Sequence, residues 1–115
     1  MENNILISPS VLAADFSKLG DEVQSVSEMG ADFIHLDIMD GHFVPNLSFG
    51  ADIVRGIRPY SNLPFDVHLM ITNPEIYISS YVDAGANVLV AGTSIFKARD
   101  KTYLESINRL RNIVP

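Results

Sequence analysis

At 115 residues the chain is long enough for one domain with a real core and too short for two ordinary ones. Its 47% apolar and 19% charged residues, with a net charge of −6 and no Lys/Arg cluster, indicate a soluble globular protein and argue against a nucleic-acid surface. It has no cysteine, Met1-Glu2-Asn3-Asn4 lacks a signal peptide's basic start, and no apolar run reaches membrane-spanning length, so a cytoplasmic protein without disulfide or thiol chemistry is expected.

Ile5 to Ser8, closed by Pro9, reads as a first strand. Asp15-Phe16-Ser17 supplies helix-start chemistry, Leu19, Val23 and Val26 follow at helical spacing, and Gly30 ends that helix. Phe33 to Met39 reads as a second strand and Asp40 to Phe49 as a loop. A second helix is predicted from about Ala51 to Ile57, stopped by Pro59. Phe65 to Met70 is a third strand. Asn73 and Pro74 are predicted to cap and open a third helix that ends at Gly85. Asn87 to Ala91 reads as a fourth strand and Lys101 to Asn112 as the last helix. Four strand-then-helix units in succession predict an α/β fold with a parallel sheet. Met29-Gly30-Ala31-Asp32-Phe33-Ile34 and Ala84-Gly85-Ala86-Asn87-Val88-Leu89 repeat one helix-to-strand junction, as barrels built of βα units do.

Side chains alternate between the faces of a strand, so His35, Asp37 and Met39 share one face, and His68 and Met70 share one face of the next strand. Two histidines and a carboxylate brought together this way suit a divalent metal, with Asp37 also placed for proton transfer. A lone histidine in an apolar strand is more often a hydrogen-bonded core residue. Asp40 and Asp66 read as structural, capping turns or helix ends, and His42 as solvated.

Three segments carry a resemblance to a known family. Ile7-Ser8-Pro9-Ser10-Val11-Leu12-Ala13-Ala14-Asp15-Phe16, then His35-Leu36-Asp37-Ile38-Met39-Asp40-Gly41-His42-Phe43-Val44-Pro45-Asn46, then Phe65-Asp66-Val67-His68-Leu69-Met70 with Asn73-Pro74, resemble the first three strands and loops of the ribulose-phosphate 3-epimerases. Asn87-Val88-Leu89-Val90-Ala91-Gly92-Thr93-Ser94-Ile95-Phe96 resembles that family's eighth strand rather than its fourth. The resemblance implies a single partial TIM barrel in which residues 1–86 match the N-terminal family segment and 87–115 the C-terminal one. A complete barrel takes about 250 residues. By this resemblance strands four to seven are absent, together with the family's Gly-rich phosphate loop and its second acid/base aspartate. Recombination between the repeated junctions, or engineering, would create such a join.

The resemblance further implies metal-assisted epimerisation at C3 of a phosphorylated ketopentose, between D-ribulose 5-phosphate and D-xylulose 5-phosphate, in the pentose phosphate pathway. Asp37 would be the catalytic acid/base group and a metal ligand; His35 and His68 would complete the ligands for Zn, Fe or Mn. Ser10, His68, Met39 and Met70 would line the substrate, and Gly92 and Thr93 would offer backbone donors to its phosphate. Three metal ligands would remain where the family uses four, and no donor would serve the opposite face. The alternative left open is a non-catalytic metal- or phosphate-binding remnant, or a structural half-barrel fragment. A half-barrel exposes two sheet edges, so a homo-oligomer is expected.

Overall fold

Alternating burial sorts the central residues into two layers. A computed structural model describes residues 4–113, the side chain of Thr93 excepted. Among these, β1 (Ile34–Met39), β2 (Phe65–Met70) and β3 (Val88–Val90) form a parallel sheet in that order. Ile34, Leu36, Ile38, Phe65 and Val67 face the helices and are buried, and the residues between them are only half-buried. The helix layer comprises α1 (Leu19–Glu28), α2 (Ala51–Ile57) and α3 (Ile78–Ala84), which contribute Val23, Val54, Ile57, Tyr81 and Ala84 to the core. Beyond β3 follow a four-residue helix α4 (Thr93–Phe96) and α5 (Tyr103–Asn112). Thr102 and Glu105 close a reciprocal capping box at the start of α5. An Arg109–Glu75 ion pair ties α5 to the segment after β2.

The number of strands differs from the sequence expectation. Ile5 to Ser8 forms no strand; Pro9 has no N–H for a ladder, and only Ser10 makes a parallel bridge, to His35. The segment nevertheless lies along β1, because the Asp32 N–H donates to the Ile7 carbonyl at 2.9 Å and the Asp32 carboxylate accepts the Ile7 N–H at 2.8 Å. The same clamp recurs at the repeated junction. The Asn87 N–H donates to the Phe65 carbonyl, and Asn87 Oδ1 accepts the Phe65 N–H, both at 2.9 Å. Gly30 (φ 111°) and Gly85 (φ 123°) precede the two clamps and turn the chain in a backbone region that favours glycine. The internal echo is thus a repeated hydrogen-bonding device: Ile7 stands to β1 as Phe65 stands to β3.

The third helix is also corrected. Asn73 adopts a left-handed conformation (φ 53°) and makes no side-chain cap. Pro74–Ile76 forms a single 3₁₀ turn, and the α-helix begins only at Ile78. The fixed φ of Pro74 starts the turn as predicted, but Asn73 supplies the reversal after β2 instead of an acceptor.

Arg58 secures the amino-terminal end of the sheet. Its guanidinium donates to the carbonyls of Ser61 (2.8 Å), Leu63 (2.7 Å) and Gly85 (3.3 Å) and to Asn87 Oδ1 (3.3 Å). It also lies 3.7 Å over the ring of the fully buried Phe65. One side chain therefore bonds to residues on either side of Ala86.

Candidate metal centre

The register of β1 against β2 builds the site. His35 pairs with Asp66 and Asp37 with His68, all on the face turned away from the helices. Parallel pairing at this register sets imidazole opposite carboxylate twice, with the order reversed at the second pair. His35 Nε2 lies 3.0 Å from Asp37 Oδ1, and His68 Nδ1 lies 3.5 Å from the same oxygen. Ser10, carried in by its bridge to His35, donates to Asp37 Oδ2 at 3.5 Å. The structure thus brings Ser10, His35, Asp37 and His68 together.

The remaining predicted residues spread outward from this cluster. An open cleft of about 530 Å³ begins at His68 and runs past Met70, Val90 and Gly92, with Phe43 and Val44 on its rim. Met70 and Gly92 therefore border one space with His68. Met39 shares the face of Asp37 but lines a different hollow, with Leu47, Ser48 and Phe49. Gly92 immediately precedes α4, which Thr93 begins, and the Gly92 carbonyl accepts the N–H groups of Ile95 and Phe96.

Two residues contribute more than the sequence reading assigned them. Asp66, read there as a structural cap, caps nothing; its Oδ2 sits 3.0 Å from His35 Nδ1. The alternation that grouped His68 with Met70 also includes Asp66, so the signal was present. Ser48 clips the loop after β1 back onto the strand: its hydroxyl donates to the Asp37 carbonyl at 2.6 Å and accepts the Met39 N–H at 2.9 Å. Asp40 is structural as expected, accepting the N–H groups of Thr72, His42 and Phe43. The Thr72 bond is the main reason its carboxyl is held down at about 2. His42 is exposed in the same loop.

Electrostatics at His35 set two effects against each other. Burial disfavours the charged ring, but its hydrogen bonds to the Asp66 and Asp37 carboxylates, with their negative charge, outweigh that and raise the imidazole above its ordinary value. The donor set itself fits a divalent cation. His35, Asp37 and His68 each offer a ligand atom, and these atoms all lie within 4.8 Å of one another. Imidazole and carboxylate donors suit borderline first-row metals.

Fold and site together define a parallel α/β protein with a candidate divalent-metal centre on the open face of its sheet. The chain belongs to the Ribulose-phosphate 3 epimerase family, whose model matches residues 6–112. A ribulose-phosphate 3-epimerase of Synechocystis sp. is 52% identical over 89 residues, covering 77% of this chain and 39% of that protein. The Bacillus subtilis ribulose-phosphate 3-epimerase is 53% identical over 85 residues, covering 74% and 39%. The chloroplastic ribulose-5-phosphate-3-epimerase of Arabidopsis thaliana is 47% identical over 88 residues, covering 76% and 31%. The matches thus span about two fifths or less of these relatives. Among the described residues, no helix is long and apolar enough to cross a membrane.

Proposed function

We propose that this chain carries one half of a ribulose-phosphate 3-epimerase centre and acts on a phosphorylated ketopentose, interconverting D-ribulose 5-phosphate and D-xylulose 5-phosphate. The observation that supports this reading is the convergence of Ser10, His35, Asp37 and His68 beside an open cleft. In this reading Asp37 removes or returns the C3 proton, within reach of substrate lying along the cleft. The Ser10 hydroxyl, hydrogen-bonded to Asp37, holds that carboxylate and helps orient the sugar. Met70 forms a soft apolar wall of that cleft beside His68, whereas Met39 stands in the neighbouring hollow on the Asp37 side. Backbone donors at Gly92–Thr93 receive the phosphate at the far end of the cleft. His35, Asp37 and His68 would hold a divalent cation (Zn, Fe or Mn), which when bound polarises the substrate carbonyl next to C3.

A half-barrel related to its family as residues 1–86 plus 87–115 has one base on its open face. A second copy is the proposed source of closure. The outer strand carries Val88 (37% exposed) and Val90 (42%), and the opposite border carries Ile5 (69%) and Ile7 (55%). Two-fold pairing of these borders would bring Gly92–Thr93 of one protomer toward Ser10 of its partner. A monodisperse monomer in light scattering refutes this assembly.

One observation favours a non-catalytic reading. Among the described residues, the open face of the sheet carries only Asp37 and Asp66 as carboxylates, and Asp66 is engaged by His35. Without a donor for the other side of C3, the site would exchange that proton with solvent and invert the carbon poorly. An assay of ribulose 5-phosphate conversion with added Zn²⁺, Mn²⁺ or Fe²⁺, run in D₂O on wild type and Asp37→Asn, separates the readings. Turnover or C3 deuteration lost in Asp37→Asn supports the epimerase centre. Metal binding with neither supports a binding remnant.

A further inference from the structure

Asp66 is a second carboxylate on the site face, and its side chain is only 20% exposed. Its Oδ2 meets His35 Nδ1 at 3.0 Å, and the opposite nitrogen of the same ring, Nε2, points to Asp37 Oδ1 at 3.0 Å. The ring is therefore strung between two carboxylates, one on its own strand and one directly across the register. Asp66 does not belong to the group whose ligand atoms all lie within 4.8 Å of one another. Its contact is with the far nitrogen of one ligand, outside the donor set.

A neutral imidazole has one protonated nitrogen, and a metal needs the lone pair of the other. A carboxylate fixed beside Nδ1 accepts its proton in a hydrogen bond and leaves the Nε2 lone pair aimed at the centre. It also holds the ring plane and raises the basicity of the donor nitrogen. Among the described residues no second carboxylate orients His68, whose Nδ1 faces Asp37. The two histidines are thus unequal partners.

We propose that Asp66 is the positioning carboxylate of this centre: it holds His35 as the Nδ1–H tautomer, so that Nε2 presents its lone pair to a divalent cation shared with Asp37 and His68. This inference rests on the metal-binding reading above and deepens it. It also assigns β2 two separate duties, with His68 supplying a donor atom and Asp66 orienting a donor on the neighbouring strand. Both duties require the observed register; a slip of one residue would turn Asp66 and His68 toward the helices.

The test uses the whole chain with Zn²⁺ for calorimetry and Co²⁺ for absorption spectroscopy, and long-range ¹H–¹⁵N correlation spectra to read the tautomer of His35. In the wild type loaded with Zn²⁺, His35 should be protonated at Nδ1 and bound through Nε2. Asp66→Ala should weaken Zn²⁺ binding by about 10- to 100-fold, and metal-free His35 should shift toward the Nε2–H tautomer, whose proton Asp37 accepts. Asp66→Asn keeps an acceptor oxygen and should fall between the two. The Co²⁺ spectrum should keep its form in both variants, since no ligand is lost. Zn²⁺ affinity within twofold of wild type in Asp66→Ala overturns the proposal, as does a Co²⁺ spectrum that reports a lost ligand. Binding of wild-type His35 through Nδ1 also overturns it, without reference to any variant that fails to fold. Wild type that binds neither metal overturns the metal reading as well, which separates the two failures.

Discussion

Replacing Arg58 by alanine should cost this protein more stability than any comparably accessible side chain, because five contacts converge on one guanidinium. The bonds to the Ser61 and Leu63 carbonyls, at 2.8 and 2.7 Å, are charge-assisted and short. Such bonds are worth roughly 1.5–3 kcal/mol each when well buried. The two at 3.3 Å, to the Gly85 carbonyl and Asn87 Oδ1, are weaker. The contact with the face of Phe65 contributes about 0.5–2 kcal/mol. The group is only partly buried, its bonds are not additive, and water can replace some of them after truncation. A net loss of about 2–3 kcal/mol is therefore expected. At roughly 4 °C per kcal/mol for a domain of this size, Tm should fall by about 8–12 °C. Thermal and urea unfolding followed by circular dichroism measures it. Arg58→Lys, which keeps the charge and loses the planar fork, should lie between alanine and wild type. A Tm loss under about 2 °C for Arg58→Ala, or a lysine variant equal to wild type, would refute the view that this fork holds the lower end of β2 and β3 together.

Several weaker perturbations probe the same geometry. Gly85→Ala forces a Cβ into Arg58 at a positive φ, whereas Gly30→Ala meets open space at a similar φ, so the first should lower Tm clearly more than the second. The metal-free protein should lose stability as pH rises through the raised value of His35, since a folded-state value above the ordinary 6.5 gives stabilisation that is complete only below the unfolded value. His35→Gln should flatten that segment of a Tm–pH profile. Asp40, held at about 2, acts in the opposite sense: its contribution is present above the ordinary carboxylate range and is lost as acid approaches pH 2. Asp40→Asn should flatten the acid limb by removing the titrating carboxyl while leaving an oxygen to accept the Thr72 N–H. His68→Ala should weaken Zn²⁺ binding in calorimetry by at least tenfold, roughly one ligand's worth; unchanged affinity would exclude His68 as a ligand.

Where local pattern and local punctuation agreed, the chain alone was enough. β2 runs from Phe65 to Met70 as read, because apolar residues alternate with polar ones directly after Pro64. α2 covers Ala51–Ile57, as read, with Pro59 just beyond it. α5 starts at Tyr103, two residues later than the expected Lys101, because Thr102, with Glu105 three positions on, is the cap. Ile5–Ser8 reads as a strand by composition, but Pro9 has no N–H to donate toward β1, and the pairing reduces to the single Ser10–His35 bridge. Asn73 looked like a cap, yet its role is set by how the chain must reverse after β2, which depends on where β2 packs.

By itself the sequence determined the family, the period-2 grouping of His35 with Asp37 and of His68 with Met70, and the repeated junction. Each is written in residues close together along the chain. Only tertiary structure decided that His35 stands opposite Asp66 and Asp37 opposite His68. Register between parallel strands joined through α2 is set by the packing of Ile34, Leu36, Ile38, Phe65 and Val67 against the helices, and no local pattern encodes that offset. That offset turns Asp66 from an apparent cap into the partner of a candidate metal ligand.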